Sequence, residues 1–296
     1  MLLVVGNLTI DEVILRGERR IQPGGAALYT PAATAKMGLK VGVLSKVGYD
    51  YLKEQLNEME SLGIDPSGVR VLCDFPTTRF LLDYSGDERR LSLLGRCKPI
   101  EPQDLLNTRA EAVHMAPIFD EVPAETVLEL SKRCGFLSLD PQGYVRQVTQ
   151  DHAVESKAWF DAGVLSRLRV FKSSIEELRW VAGSENPWKG MERIRETGPE
   201  IVVATWGRRG ALMLAEERRY HIPAFPTQPL DPTGAGDAFM GGFLSQYLRE
   251  KDALWSASVG ASLSSSLIET QGCRIDASVG EILERANWVR ERIQRL

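Results

Sequence analysis

The chain is poor in net positive charge, in histidine and in cysteine, and each shortage removes a class of function. Its 36 Lys and Arg stand against 40 Asp and Glu, a formal net charge of −4. No global positive field exists to gather a phosphate backbone, so no nucleic-acid partner is expected. His114, His152 and His221 are far apart and lack HExxH or HxH spacing, which argues against a zinc site. Cys73, Cys97, Cys134 and Cys273 form neither a CxxC pair nor a small-protein disulfide framework, and reduced thiols are expected. No stretch approaches the roughly 18 uncharged apolar residues that span a bilayer, and residues 1–5 end at Gly6-Asn7, too soon for a secretory signal. A cytoplasmic protein with no membrane partner is therefore expected. A Walker A string, a His-Arg-Asp triplet and a GxGxxG turn after the first strand are also missing, which sets aside P-loop, protein-kinase and dinucleotide-binding readings.

What is present is alternation. An apolar strand at 2–5 is followed by short β-rich pieces at 11–16 and 19–22, then by a small-residue helix over 26–37 that Gly38 closes. A strand at 40–44 and a one-sided helix over 51–62 come next. Runs at 78–84 and 89–94, separated by Ser85-Gly86-Asp87-Glu88, predict a second hairpin. From 111 onward, strands at 112–115, 136–139, 168–171 and 201–204 alternate with helices at 122–133 and 175–181. That rhythm predicts βαβ units: one α/β domain over 1–296, a mostly parallel sheet between helices, with a small β lid from about 11–22 and 70–98.

The densest chemical signal is Asp231-Pro232-Thr233-Gly234-Ala235-Gly236-Asp237, ahead of a helix over 238–248 with apolar residues at 239, 240, 243, 244, 247 and 248. A glycine-rich turn feeding a helix N-terminus presents unpaired N–H groups and the positive end of the dipole to an anion. A carboxylate inside such a cradle needs a reason. Asp237 either caps the helix or acts as a general base toward a hydroxyl while the amides stabilise a transferring phosphoryl group.

This heptapeptide resembles the C-terminal signature of the ribokinase-like, or PfkB, carbohydrate kinases. Gly24-Gly25-Ala26-Ala27 with Gly38 and Val41-Gly42 is similar to that family's glycine-pair segment, and Thr205-x-Gly207-x-x-Gly210 to its nucleotide-binding segment. The resemblance runs through nearly the whole chain in order. It implies a ribokinase-like three-layer α/β/α fold and transfer of the γ-phosphoryl group of ATP, with Mg2+, to an alcohol on a small molecule. By that match Asp237 is the base and Gly234, Ala235 and Gly236 form the anion hole. Asp11, Gly24 and Gly25 would hold the acceptor, and Thr205, Gly207 and Gly210, with Gly234 and Gly236, would lie along ATP. Asp231 and Thr233 resemble residues near a monovalent-cation site in several members, so K+ is a further candidate. Lid edges in this family pair into dimers, which makes a homodimer through the lid an expectation too.

Two departures from the family pattern matter. Ser174-Ile175-Glu176-Glu177 stands where many members carry Asn-x-x-Glu, which leaves Glu177 as an organiser of magnesium-bound water or as part of a solvated helix face. Tyr29 stands where ribose and fructose kinases have an Asn after the glycine pair. Its ring could cover the apolar face of a six-membered acceptor or simply pack. With 91–100 and Asp140-Pro141-Gln142-Gly143-Tyr144-Val145-Arg146, this segment looks most like members that phosphorylate myo-inositol. Gln142 and Arg146 then become acceptor contacts, although Arg146 reads equally as a surface arginine. A nucleoside or sugar kinase, and a non-catalytic carbohydrate or nucleotide sensor, are the rival readings.

Overall fold

Every side chain of strand β1 (Leu2–Val5) is buried, Leu2 and Val4 in one apolar cluster and Leu3 and Val5 in another. A strand covered on both faces belongs in the middle of a sheet flanked by two helical layers. In the computed structural model, which describes residues 1–15, 17–86, 90–105 and 109–296, that is where β1 lies. The chain continues through β2 (Thr9–Leu15), β3 (Glu18–Gly24), α1 (Ala26–Lys36), β4 (Val41–Gly48), α2 (Lys53–Ser61), β5 (Ile64–Leu72), β6 (Thr78–Asp83) and β7 (Arg90–Gly95). Then come β8 (Ala112–Met115), α3 (Ala124–Ser131), β9 (Phe136–Leu139), β10 (Arg146–Val148), β11 (Val154–Ser156), α4 (Ala162–Leu165), β12 (Val170–Ser174), α5 (Ile175–Ala182) and α6 (Pro187–Thr197). The last third holds β13 (Ile201–Thr205), β14 (Ala211–Ala215), β15 (Arg218–Ile222), α7 (Ala235–Glu250), α8 (Ala253–Leu267), α9 (Val279–Arg290) and β16 (Gln294–Arg295).

The main sheet has the order β16-β15-β14-β13-β12-β9-β8-β1-β4-β5. It is parallel from β13 to β5 and antiparallel from β13 out to β16. Helices α1, α2, α7 and α8 bury apolar residues on the Leu2/Val4 face, with α9 packed on α8. Helices α3 to α6 cover the Leu3/Val5 face. None of the described helices is long and apolar enough to cross a membrane.

A second sheet, β3-β2-β6-β7, forms the lid. Its central pair, β2 and β6, is parallel, because the chain returns to the body between them. The lid spans 9–24 and 78–95 rather than 11–22 and 70–98: residues 70–72 belong to β5, which pairs with β4 at the edge of the main sheet. Asp87, Glu88 and Arg89, expected in the second hairpin, and Arg16, expected to end the first strand of the other, lie outside the described residues. The base of the lid is tied by Glu121, 1% exposed, whose carboxylate accepts backbone N–H groups of Asn7 at 2.8 Å, Ile118 at 2.9 Å and Phe119 at 2.7 Å. A buried carboxylate so held turns the crossing from β1 to β2 into a fixed point.

Candidate functional site

Helix α7 begins earlier than the apolar spacing predicted, at Ala235, so Asp237 lies inside its first turn. Gly234 precedes it at φ 78°, a left-handed conformation that favours glycine. A Cβ there would stand 2.5 Å from Cγ of Tyr29, so the turn can close only over a residue without a side chain. Of the expected anion-hole amides, that of Ala235 turns back to the Pro232 carbonyl at 3.4 Å. Gly236 has its own constraint, since a Cβ would meet Nζ of Lys172 at 2.7 Å.

That lysine was missed by the reading of the sequence. It sits between buried Phe171 and Ser173 in the central strand β12, only 4% exposed, and its Nζ donates to Oδ2 of Asp140 at 2.5 Å. Desolvation opposes its charged form, yet the carboxylates of Asp140, Glu177 and Asp237 hold its pKa up to about 12. Asp237 shows the converse. Its side chain is half-buried, and desolvation pushes its pKa up to about 7. Asp140 and Glu177 add to that rise, while Lys172 and Arg146 oppose it. A carboxyl poised near neutrality can hold a proton or release one at little cost, as a general base requires.

Glu177 is half-buried and its carboxylate is engaged. It closes a capping box on α5: its N–H donates to Ser174 Oγ at 3.1 Å, and its Oε2 accepts the Ser174 N–H at 2.7 Å. Ser174 thus supplies the cap that an asparagine at this position would also give.

On the lid, strand register puts Asp11 opposite both Gln22 and Phe80, Val13 opposite Arg20 and Leu82, and Phe80 opposite Leu93. These side chains share the underside of the lid. One half is polar, with Asp11, Gln22 and Arg20, and the other apolar, where Val13, Phe80, Leu82 and Leu93 pack with Ile118 and Phe119. Asp11 is 5% exposed, accepts from Thr9 Oγ1 at 2.7 Å, and fills the space that a Cβ on Gly24 would need. Gly25, at φ 93°, is the N-cap of α1. The lid also touches the cradle loop: Arg20 pairs with Asp231, and the Tyr84 and Thr233 hydroxyls lie 3.2 Å apart. Asp231 Oδ1 accepts the Thr233 N–H at 3.0 Å. The Arg20 guanidinium thus lies against Asp231, one of the two residues near which a monovalent cation was expected. The Arg20 and Tyr84 contacts join lid and loop across long sequence separations that no local pattern reveals.

Tyr29 corrects an expectation. It is 1% exposed, wedged under Gly234 with its hydroxyl 3.4 Å from Gln22 Nε2, and has no face to lay on an acceptor ring. Burial first, then the nearby Asp11, Asp231 and Asp237 carboxylates, raises its pKa well above the usual tyrosine value. Gln142 lies in the turn after β9, its N–H bonded to Asp140 Oδ1 at 3.2 Å, and Arg146 Nη1 donates to the Ile118 carbonyl at 3.0 Å. Thr205 Oγ1 donates to the Ser173 carbonyl at 3.3 Å. Gly207 and Gly210, with φ 53° and 85°, shape the turn into β14, and a Cβ on Gly210 would stand 2.7 Å from Ala224 N. Among the described residues no cluster of three His, Cys, Asp or Glu could hold a metal unaided.

Comparison with known proteins identifies the family. Residues 3–279 match the pfkB family carbohydrate kinase. An inositol 3-kinase from Zea mays is 30% identical over 311 residues, spanning 95% of this chain and 77% of that protein. A cytidine kinase from Thermococcus kodakarensis is 29% identical over 258 residues, 84% of this chain and 88% of that one. Among solved structures, a pyrophosphate-dependent kinase of the ribokinase family, complexed with a pyrophosphate analog and myo-inositol, superposes with a TM-score of 0.82. It is 24% identical and covers 96% of this chain and 99% of that one. With a match along almost its full length, the chain belongs to the pfkB family of carbohydrate kinases.

Proposed function

We propose that the protein transfers the γ-phosphoryl group of ATP to a hydroxyl of a small polyol, with myo-inositol as the acceptor. The observation that carries this reading is Asp237, a carboxyl near neutrality in the first turn of α7, among glycines and a buried cation. A sensor would gain nothing from such a base. Asp237 takes the proton of the acceptor hydroxyl, and the freed oxygen attacks the terminal phosphorus. The bond from phosphorus to the bridging oxygen breaks, and its electron pair leaves with ADP. The amides of Gly234 and Gly236 face the developing charge, and the dipole of α7 adds to their field. Asp11, Gly24 and Gly25 position the acceptor beneath the lid, with Gln142 and Arg146 beside it, while Thr205, Gly207 and Gly210 border the nucleotide. Glu177, with the oxygen its cap leaves over, would hold magnesium through water, and the ion would screen the donor phosphates. Of the two lid edges, β7 already meets Ala153, which leaves β3 to pair with a second copy.

A nucleoside acceptor is the second reading, favoured by the apolar half of the lid, which suits a flat base better than a ring hydroxylated all round. Product formation should be followed by phosphorus NMR for myo-inositol, ribose, fructose, cytidine and adenosine, each with ATP or pyrophosphate and magnesium, with Asp237→Ala as control. Phosphorylation of myo-inositol from ATP, lost in the variant, is the expected result. A preference for cytidine or adenosine would replace the acceptor, a preference for pyrophosphate the donor, and undiminished turnover by the variant would remove Asp237 as base.

A further inference from the structure

Lys172 has no explanation in packing alone. Strand alternation puts Val170 in the apolar cluster beneath α7 and Phe171 in the opposite one, so Lys172 emerges on the α7 side. Burying an ammonium there is unfavourable, and Asp140 compensates only its charge. Asp140 takes one of its three N–H groups, and no other acceptor for Nζ exists among the described residues. The ammonium meets the cradle at Gly236, where only the missing Cβ leaves it room. The carboxylates of Asp140, Glu177 and Asp237 act electrostatically on this ammonium, and Arg146 acts on Asp237 as a second cation. An anion brought close to three carboxylates needs a fixed positive charge beside it.

We propose that Lys172 is a catalytic residue whose ammonium, steadied by Asp140 against Gly236, donates a hydrogen bond to an oxygen of the phosphoryl group being transferred. This rests on the kinase reading above. It deepens that reading by assigning the contact that tells a phosphorylated donor from a neutral ligand. The proton stays on Nζ throughout, since Asp237 alone accepts the acceptor's proton. Lysine suits the task because its compact charge can follow the phosphorus as the bond to the leaving oxygen lengthens.

The test uses the full chain and two readouts. Binding of inorganic pyrophosphate is measured by calorimetry without acceptor, and steady-state turnover is measured from pH 5 to 8.5. Lys172→Met should weaken pyrophosphate binding at least tenfold and lower kcat about 100-fold or more, with acceptor KM within about threefold. Its acid limb should move to higher pH, because Asp237 loses the stronger of the two cations that oppose its protonation. Lys172→Arg should restore part of the pyrophosphate affinity. Should Lys172→Met not fold, Asp140→Asn decides: an ammonium freed from its partner should bind pyrophosphate about threefold tighter or more, whereas a lysine present only to neutralise Asp140 leaves affinity unchanged. Wild-type protein that does not bind pyrophosphate, or a folded Lys172→Met with unaltered affinity, overturns the assignment. Failure to phosphorylate any acceptor would refute the kinase reading instead, while the pyrophosphate comparison still decides Lys172.

Discussion

Asp237→Asn should slow turnover by orders of magnitude and, at pH 8, make the protein more stable. In the folded chain desolvation carries the Asp237 pKa from 3.8 to about 7, whereas the unfolded chain leaves it near 3.8. Between those values the native state binds a proton that the unfolded state lacks, so unfolding becomes easier as pH rises. The penalty is absent below 3.8 and complete above 7. At about 1.4 kcal/mol per unit, a shift of about three units sets a ceiling near 4 kcal/mol, and the partial exposure of the carboxyl reduces the expected value to roughly 1–2 kcal/mol. Asparagine mimics the neutral form at every pH. Urea unfolding at pH 5, 6.5 and 8 should show the variant more stable by that amount at pH 8 and by less at pH 5. Its kcat should be down about 10²- to 10⁴-fold. A variant no more stable at pH 8, or a stability gain independent of pH, would refute the claim that the fold holds this carboxyl against its ionisation.

Gly234→Ala should cost about 2–4 kcal/mol of stability in urea unfolding, from the left-handed backbone and from overlap with the Tyr29 ring. In a Tyr29→Leu background it should cost at least about 1 kcal/mol less, and equal costs would show that the ring yields. Glu121→Gln puts an N–H among three backbone donors, and should lose roughly 2 kcal/mol and speed hydrogen exchange at Asn7 and Phe119. Unchanged exchange would deny Glu121 its role at the lid base. Leu82→Asn places an amide on the apolar half of the lid underside, and should change acceptor KM about tenfold with donor KM within twofold. An equal effect on both would mean that this face does not meet the acceptor.

Legibility from the sequence followed the range of the interactions. The glycine turn ahead of α7 was readable because backbone chemistry is local: Gly234 had to be glycine before any partner was known. The three-layer arrangement was readable from apolar strands alternating with helices. Strand β5 was not, since Pro66 lies within it and its polar residues face solvent at the sheet edge. Nor was the β14–β15 hairpin, whose tip needs Glu216 and Glu217 at positive φ, a conformation no glycine marks. Lys172 left one faint sign, a cation in an apolar strand, which acquires meaning only when Asp140 and Gly236 are brought to it. Tyr29 misled because pattern identifies a large ring near the site but not which way it is covered.

The contacts of Arg20 and Tyr84 with Asp231 and Thr233 make the lid and the cradle loop one mechanical unit. A relative's lid grafted onto this body to change acceptor preference would import new hydrogen-bonding groups overhead and also strip the cradle loop of its two braces. Acceptor choice and transfer rate would then fall together, for reasons unrelated to the fit of the acceptor. Redesign of this scaffold should therefore keep positions 20 and 84 with residues 231–233 and vary the lid around them.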